Sequence, residues 1–463
     1  MIPKKDLKKA VASQDASIKD VMRLIDHSGL RVAYIVDDKK RLIGAASDSE
    51  IRKAILKGSD VSEKVKAIIN PHPVFLREKD LSNGYVAKKA VRELRARMPD
   101  SRYILVVDGK GRPCRMAFCD AITGENALRP HRKRVMGRNI LVVGGAGYLG
   151  SILVRRLLEH GARVKVLDLL MYGAESMDGL AGKRNFTLVE GDMRNISTMV
   201  RSLEGVDSVV NLAAIVGDPA CKNKPEAAIE TNYLANKVLA EACRYHQINR
   251  FIYASTCSVY GMMDDELPLD EDSPLNPVSL YARSKIRSEE GVLGLVDENF
   301  SPTILRMGTL YGYSPRMRFD LVVNTMTKTA MVEKRIKVHG GGRQWRPLVH
   351  VKDAAEAYVR CLESPINAVK GEVFNVGSDG QNYQIFTVAE VVQRHVPGSR
   401  LINEGESKDQ RNYNVSFAKA ASTLGLRAAN DLKEGVIEIR KWLMGRSAED
   451  LEDARYYNVE YGQ

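Results

Sequence analysis

The chain has 463 residues, 44% of them apolar, and a formal net charge of +12. That length exceeds what one hydrophobic core ordinarily serves, so a globular protein of two or three domains is expected. No run approaches the roughly 18 consecutive apolar residues of a membrane span, and MIPKKDLKK lacks the apolar core of a signal peptide. The expectation is a cytoplasmic protein with no membrane partner.

The charge is unevenly placed. Residues 1–138 hold 31 Lys and Arg against 17 Asp and Glu, whereas the remainder holds 39 against 41. Two differently built parts therefore meet near residue 138. A basic part attracts polyphosphates, nucleic acid or acidic surfaces, but aromatic interleaving and reading motifs are missing, so nucleic acid is not an expected partner. The six cysteines, at 114, 119, 221, 243, 257 and 361, show neither CxxC pairs nor dense spacing. No metal site or disulfide framework is predicted, in keeping with a reducing compartment.

The first part repeats itself. RVAYIVDDKKRLIGAASDSEIR (31–52) matches SRYILVVDGKGRPCRMAFCDAIT (101–123) at an offset of 71, placing Asp37 on Asp108 and Arg41 on Arg112. Each copy reads as two short strands joined by an Asp-containing turn and followed by a helix. Amphipathic helices are predicted ahead of them, over about 17–28 and 83–98. Units this small are expected to pack against each other.

These stretches resemble a tandem pair of CBS domains over about residues 10–128, within an α+β module spanning 1–128. The resemblance implies an adenine nucleotide (AMP, ADP or ATP) as effector, its ribose held by a hydroxyl and a carboxylate three residues apart. Ser47 and Glu50 occupy those positions in the first repeat. Phe118 and Ala121 occupy them in the second, and neither accepts a hydrogen bond. At most one working nucleotide site per chain is expected. Residues 129–138, RPHRKRVMGR, read as a basic linker.

Strands and helices then alternate. NILVVGGAGYLGSILVRRLLEHGARVKVLDLL gives a strand, a glycine turn, a helix and a second strand in about 30 residues, the setting in which a glycine motif carries meaning. Gly144 permits the tight turn, Gly147 admits a pyrophosphate close to the backbone, and Gly150 lets helix and strand approach. Asp168, 21 residues after Gly147, is placed to accept from adenosine ribose hydroxyls and to repel a 2′-phosphate, which favours NAD over NADP. Asp192 and Met193 follow a third strand, and Ala213 and Ala214 a fourth, where small residues let a dinucleotide cross the strand ends.

The fifth strand, FIYAST, ends in Ser255 and Thr256. YARSK places Tyr281 and Lys285 on one face of a predicted helix. An adjacent ammonium and a nicotinamide charge favour a phenolate, making Tyr281 a base near neutral pH. Ser255 or Thr256 can hold the substrate oxygen that loses its proton.

GGAGYLG, Asp168, NLAA, STCSVYG and YARSK together resemble the extended short-chain dehydrogenase/reductases, in particular the NAD-dependent nucleotide-sugar epimerase/dehydratase group, over about residues 138–463. The resemblance implies an α/β fold: a Rossmann-type doubly wound parallel sheet, with an NAD-binding core over about 139–300 and a smaller substrate-binding region mainly over 301–463. It names Thr256, Tyr281 and Lys285 as catalytic, and adds Tyr148, Leu149 and Asn232 to the cofactor set. Ser255, Thr309, Asn324, Arg346 and Arg411 fall where the family holds substrate, the arginines on its diphosphate.

Three departures narrow the reaction. Dehydratases of the group carry Asp-Glu directly after the Thr, where this chain has Cys257 and Ser258. Epimerases acting at carbons three and five place a Cys at the position of Ser258; Cys257, one residue earlier on a strand, is expected to point the other way and pack beneath the site. Thr309 stands where many 4-epimerases have Asn. The expected activity is a nucleotide-sugar 4-epimerase working through a 4-keto intermediate. A nucleotide-sugar dehydrogenase, reductase or decarboxylating relative is the alternative enzyme, and a non-catalytic NAD or nucleotide sensor the alternative of another class. Two self-associating modules on one chain predict a homotetramer or larger.

Overall fold

The structure is a computed structural model that describes residues 10–28, 32–56, 58–81, 83–97, 103–119, 122, 135–262, 268–405 and 411–458. The chain divides into two compact units, Met1–His131 and Arg132–Gln463.

In the first unit β1 (Val11–Ser13), β2 (Val32–Val36) and β3 (Leu42–Ser47) form one three-stranded sheet, and β4 (Phe75–Arg77), β5 (Tyr103–Val107) and β6 (Pro113–Phe118) form another. The duplication extends to detail. Each sheet pairs its first two strands in parallel and its last two antiparallel, with a register shift after Ile35 in one and after Val106 in the other. The Asp37 carboxylate accepts from the Arg41 backbone N–H and Nε at 2.7 and 2.8 Å; Asp108 accepts from the same groups of Arg112, both at 2.9 Å. Helices Ile18–Ser28 and Gly84–Arg97 pack on the respective sheets. A shared core of Val32, Tyr34, Ala45, Leu105, Val107 and Met116 joins the repeats.

The second unit is built on seven parallel strands: β7 (Asn139–Val143), β8 (Arg163–Asp168), β9 (Phe186–Glu190), β10 (Ser208–Asn211), β11 (Arg250–Thr256), β12 (Ser301–Met307) and β16 (Val373–Val376). Their order is β16-β12-β11-β10-β7-β8-β9. Both faces are buried, and successive residues enter opposite cores: Ile140, Val142, Val210 and Ile252 one, Leu141, Val143, Val209 and Phe251 the other. Such two-sided burial is what near-continuous apolar strands encode. The chain winds outward from β7 through β9, returns to β10 and winds the other way. The crevice between the ends of β7 and β10 is thus a topological switch point, where open α/β sheets take their ligands. Residues beyond 300 supply two of the sheet strands as well as the small sheets β13 (Thr309–Tyr311), β15 (Trp345–His350), β17 (Asn382–Gln384) and β14 (Arg335–His339), β18 (Arg400–Glu404).

None of the six cysteines is bridged in a disulfide. Among the described residues, no helix is long and apolar enough to cross a membrane, and no cluster of His, Cys, Asp and Glu could hold a metal ion.

Candidate active site

A cavity of about 900 Å³ opens at the switch point. One side is the glycine turn. Gly144 adopts φ +79°, and a Cβ there would meet the Ala213 backbone nitrogen at 2.7 Å, so the two strand ends touch only because it is glycine. A Cβ on Gly150 would meet the Gly145 carbonyl oxygen at 2.7 Å, which sets helix Tyr148–Glu159 against the turn. Gly147 differs: a Cβ there would meet only the Gly144 carbonyl, at 3.3 Å, and the space beyond belongs to the cavity. Gly147 is also the helix N-cap and offers no side chain to its first-turn N–H groups. An open cradle at a helix N-terminus fits a dinucleotide pyrophosphate.

Tyr148, Leu149, Asp168, Asp192, Met193, Ala213 and Ala214 line the same cavity. The Asp168 carboxylate accepts from the Ala146 and Leu170 N–H groups at 2.8 and 2.9 Å. Burial raises its pKa despite those bonds. It stands at the end of β8, the position from which ribose hydroxyls are bound in this fold.

The other side is the end of β11. Ser255, Thr256 and Ser258 line the wall. β11 stops at Thr256, whose Oγ1 accepts from the Ser258 N–H at 3.1 Å and caps a 3-10 turn over Cys257–Tyr260. The strand alternation expected for Cys257 therefore does not operate. A helical turn carries it inward instead: it is 1% exposed, its Sγ–H donates to the Arg306 carbonyl at 3.3 Å, and burial pushes its pKa up.

Helix Leu280–Leu293 brings Tyr281 and Lys285 to this wall, its start fixed by Ser279 Oγ accepting from the Ala282 N–H at 3.2 Å. Lys285 Nζ donates to the Ala254 carbonyl at 2.8 Å and lies 4.7 Å from the Tyr253 ring centre and 5.8 Å from that of Tyr281. Helix and strand end are thus tied one residue from Ser255. In the protein alone the Tyr281 hydroxyl is pushed up by burial, with Cys221 and Asp218 adding to it and Arg318 opposing. The lowering expected from Lys285 is not seen in the protein alone, where Arg318 is the group that opposes burial. Burial also depresses Lys285, to about 8.

The Lys285 shift makes a prediction. Below about pH 8 the ammonium is charged whether folded or not, and its burial cost is fully present. Between that pH and the ordinary lysine value of 10.5 the unfolded chain binds the extra proton, so this residue's contribution to stability rises with pH. Denaturation of the wild type and Lys285→Met should show a stability difference that moves in favour of the wild type from pH 8 to 10; a flat difference would contradict the assignment.

Thr309, Arg346 and Arg411 also line the cavity. Arg346 is 4% exposed, and its Nη1 donates to the carbonyls of Trp345, at 2.7 Å, and of Arg411. Arg411 pairs with Asp218 at 3.4 Å. Two expected site residues are not on the wall. Asn232 lies behind it, 1% exposed, holding Ile215 through its N–H and carbonyl at 2.8 and 3.0 Å. Asn324 is fully buried, its Oδ1 accepting from the Gly312 N–H at 3.1 Å and its Nδ2 donating to the Arg318 carbonyl at 2.9 Å. Both shape the wall from the rear.

Asp218, Arg316, Arg318, Asp320 and Tyr413 line the cavity without having been singled out from sequence. The alternation in PRMRFD was the available signal: Met317 and Phe319 are buried in the core while Arg316, Arg318 and Asp320, which alternate with them, line the cavity.

In the first unit the Ser47 N–H donates to Glu50 Oε2 at 3.0 Å, and the Ser47 hydroxyl bonds the same oxygen. Glu50 here folds back on the start of helix Asp48–Leu56, half of a capping box. Phe118 ends β6; Ala121 lies outside the described residues, as does 129–134 of the linker.

Comparison with known proteins agrees with this geometry. The NAD dependent epimerase/dehydratase family matches residues 140–377, and the CBS domain matches residues 2–57. A UDP-glucose 4-epimerase of Corynebacterium glutamicum is 30% identical over 62% of this chain and 89% of its own. A dTDP-glucose 4,6-dehydratase of Streptomyces niveus is 27% identical over 65% and 92%. The solved structure of MoeE5 in complex with UDP-glucuronic acid and NAD has a TM-score of 0.58 at 26% identity, covering 66% of this chain and 98% of that one. The chain therefore belongs to the NAD-dependent epimerase/dehydratase family of enzymes acting on nucleotide sugars, with a CBS domain at its N-terminus.

Proposed function

We propose that this enzyme is a nucleotide-sugar 4-epimerase. Similarity alone does not choose the reaction, since a 4-epimerase and a 4,6-dehydratase are related to the chain at 30% and 27% identity. The observation that carries the choice is the wall at the end of β11: it offers Thr256 and Ser258 beside Tyr281 and Lys285, and no carboxylate at positions 257 and 258. Water loss needs a group to protonate the departing hydroxyl and another to take the proton next to the ketone. A buried thiol with a raised pKa and a serine supply neither. Asp218, a carboxylate on the same wall, is engaged by Arg411.

Epimerisation asks for less. Tyr281 takes the proton of the sugar 4-hydroxyl, Thr256 holds that oxygen, and Lys285 keeps a positive charge beside the phenolate it helps to form. Bound NAD supplies the acceptor, then the donor, of the hydride. Arg346 and Arg411 hold the diphosphate, so the 4-keto sugar turns over without leaving, and Tyr281 returns the proton when the other face is reduced. A screen of UDP-, GDP- and dTDP-hexoses followed by NMR tests this. The expected product is an isomer of the substrate with no external NADH consumed; a product lighter by one water would overturn the reading.

Regulation belongs to the same proposal. The CBS module binds AMP, ADP or ATP at Ser47 and Glu50 and alters a homotetramer or larger assembly. Exposed Leu234 and Tyr245, at 50% and 85%, lie on a helical stretch suited to contact a second copy. Sedimentation should show a change of species on adding one of these nucleotides, lost in Ser47→Ala; an unchanged species and unchanged rate with all three would reject the regulatory role.

A further inference from the structure

We propose that Arg316 is an anion-binding residue that closes the dinucleotide pyrophosphate subsite beside the glycine turn. The inference rests on the NAD dependence of the chain and not on the sugar reaction.

The segment carrying Arg316 is stitched to the first turn of helix Tyr148–Glu159. Ser314 Oγ donates to the Tyr148 carbonyl at 2.6 Å and lies 2.9 Å from Ser151 Oγ. The Tyr148 hydroxyl donates to the Gly312 carbonyl, and Asn324 Nδ2 donates to that hydroxyl at 3.1 Å. Arg316, Arg318, Asp320 and Asp168 thereby share a cavity wall with Gly147 and Tyr148.

Two of those four charges, Arg318 and Asp320, are paired with each other. Arg318 donates to Asp320 through Nε and Nη2 at 3.0 and 2.6 Å, and Asp168 accepts two backbone N–H groups. Arg316 is not so paired. It is 6% exposed, its guanidinium lies 3.8 Å over the Tyr172 ring, and Nη2 donates to Asn458 Oδ1 at 2.7 Å. Its Nε is buried without a hydrogen-bond partner, and among the described residues no carboxylate forms an ion pair with it. Burial, with Arg318 adding and Tyr172, Asp320 and Asp168 opposing, lowers its pKa to about 10, which still leaves it a cation at neutral pH.

A buried guanidinium with an idle donor is costly unless an anion meets it. The architecture holds it in place: Asn458 grips one edge, and Arg455, paired with Glu175 and Asp453, ties the C-terminal stretch to the loop after β8 that carries Tyr172. Helix N-terminus and guanidinium together select a phosphate group. Asp168 on the same wall disfavours a 2′-phosphate, which leaves the pyrophosphate.

The test uses full-length protein stripped of co-purified cofactor. NADH is bound and followed by its fluorescence, then displaced with ADP-ribose or adenosine, so binding at the CBS module is silent. Arg316→Gln should weaken ADP-ribose on the order of 10- to 100-fold and leave adenosine unchanged, with Arg316→Lys recovering part of the loss. Asn458→Ala, which keeps every charge, should weaken ADP-ribose less, and serves if Arg316→Gln does not fold. Unaltered ADP-ribose affinity would overturn the proposal. So would an equal loss for adenosine, which would mark Arg316 as packing for Tyr172 only. No sugar is present, so failure of the epimerase reading leaves the outcome unaffected.

Discussion

Replacing Tyr281 with Phe should lower kcat on the order of 10²- to 10⁴-fold while leaving NAD bound. Tyr281 is 9% exposed, with its ring packed among Cys221, Ala228, Ile215, Val216 and Leu280. Phe keeps that packing and loses only the oxygen. Its N-terminal position in helix Leu280–Leu293 is fixed by the Ser279 cap and, one turn on, by Lys285 Nζ on the Ala254 carbonyl. The variant should therefore fold as the wild type does, and the loss should fall on turnover. Single-turnover kinetics with cofactor retention measured on the same sample checks both halves; full activity would refute the assigned base.

The second large effect lies beneath the site. Glu289 and Arg306, 4% and 6% exposed, form a pair through Nη2 at 2.7 Å and Nε at 3.1 and 3.2 Å. Arg306 Nη1 reaches the Tyr260 hydroxyl at 3.0 Å, that hydroxyl donates to Asn375 Oδ1 at 2.8 Å, and the Ser255 hydroxyl donates to Glu289. Burial works against the Arg306 charge, but the bonds and charge of Glu289 outweigh it and raise its pKa. Removing one partner strands the other, at about 3–5 kcal/mol. Arg306→Met should cost that much, whereas Arg306→Met with Glu289→Leu should recover most of it. Both tryptophans, Trp345 and Trp442, belong to the larger unit, so their fluorescence during urea unfolding reports on it alone. A single variant within about 1 kcal/mol of the wild type would contradict this network.

Local signals carried most of the fold. The βαβ unit around Gly144, Gly147 and Gly150 was readable because turn, cap and strand pattern fall within 30 residues and each glycine has its own steric reason. The repeat was readable because Asp37–Arg41 and Asp108–Arg112 build the same turn twice. Side-chain direction was not. Asn232 sits in a π-helical stretch, Glu230–Ala235, whose wider turn rotates the following face in a way residue types do not announce. Asn324 faces inward because tertiary partners from residues 312–318 claim it. The raised pKa of Tyr281 follows from burial, and burial of a cavity wall depends on segments far apart in sequence. Arg316 and Arg318 escaped notice because their stretch forms no regular strand, although it alternates like one.

Turnover of the nucleotide-hexose identified by the screen, carrying deuterium at C4, separates epimerisation from water loss. A 4-epimerase gives a product of unchanged mass with inverted C4, deuterium still on that carbon, and no NADH released. Deuterium found on another carbon, or a product lighter by one water, would contradict the 4-epimerase reading.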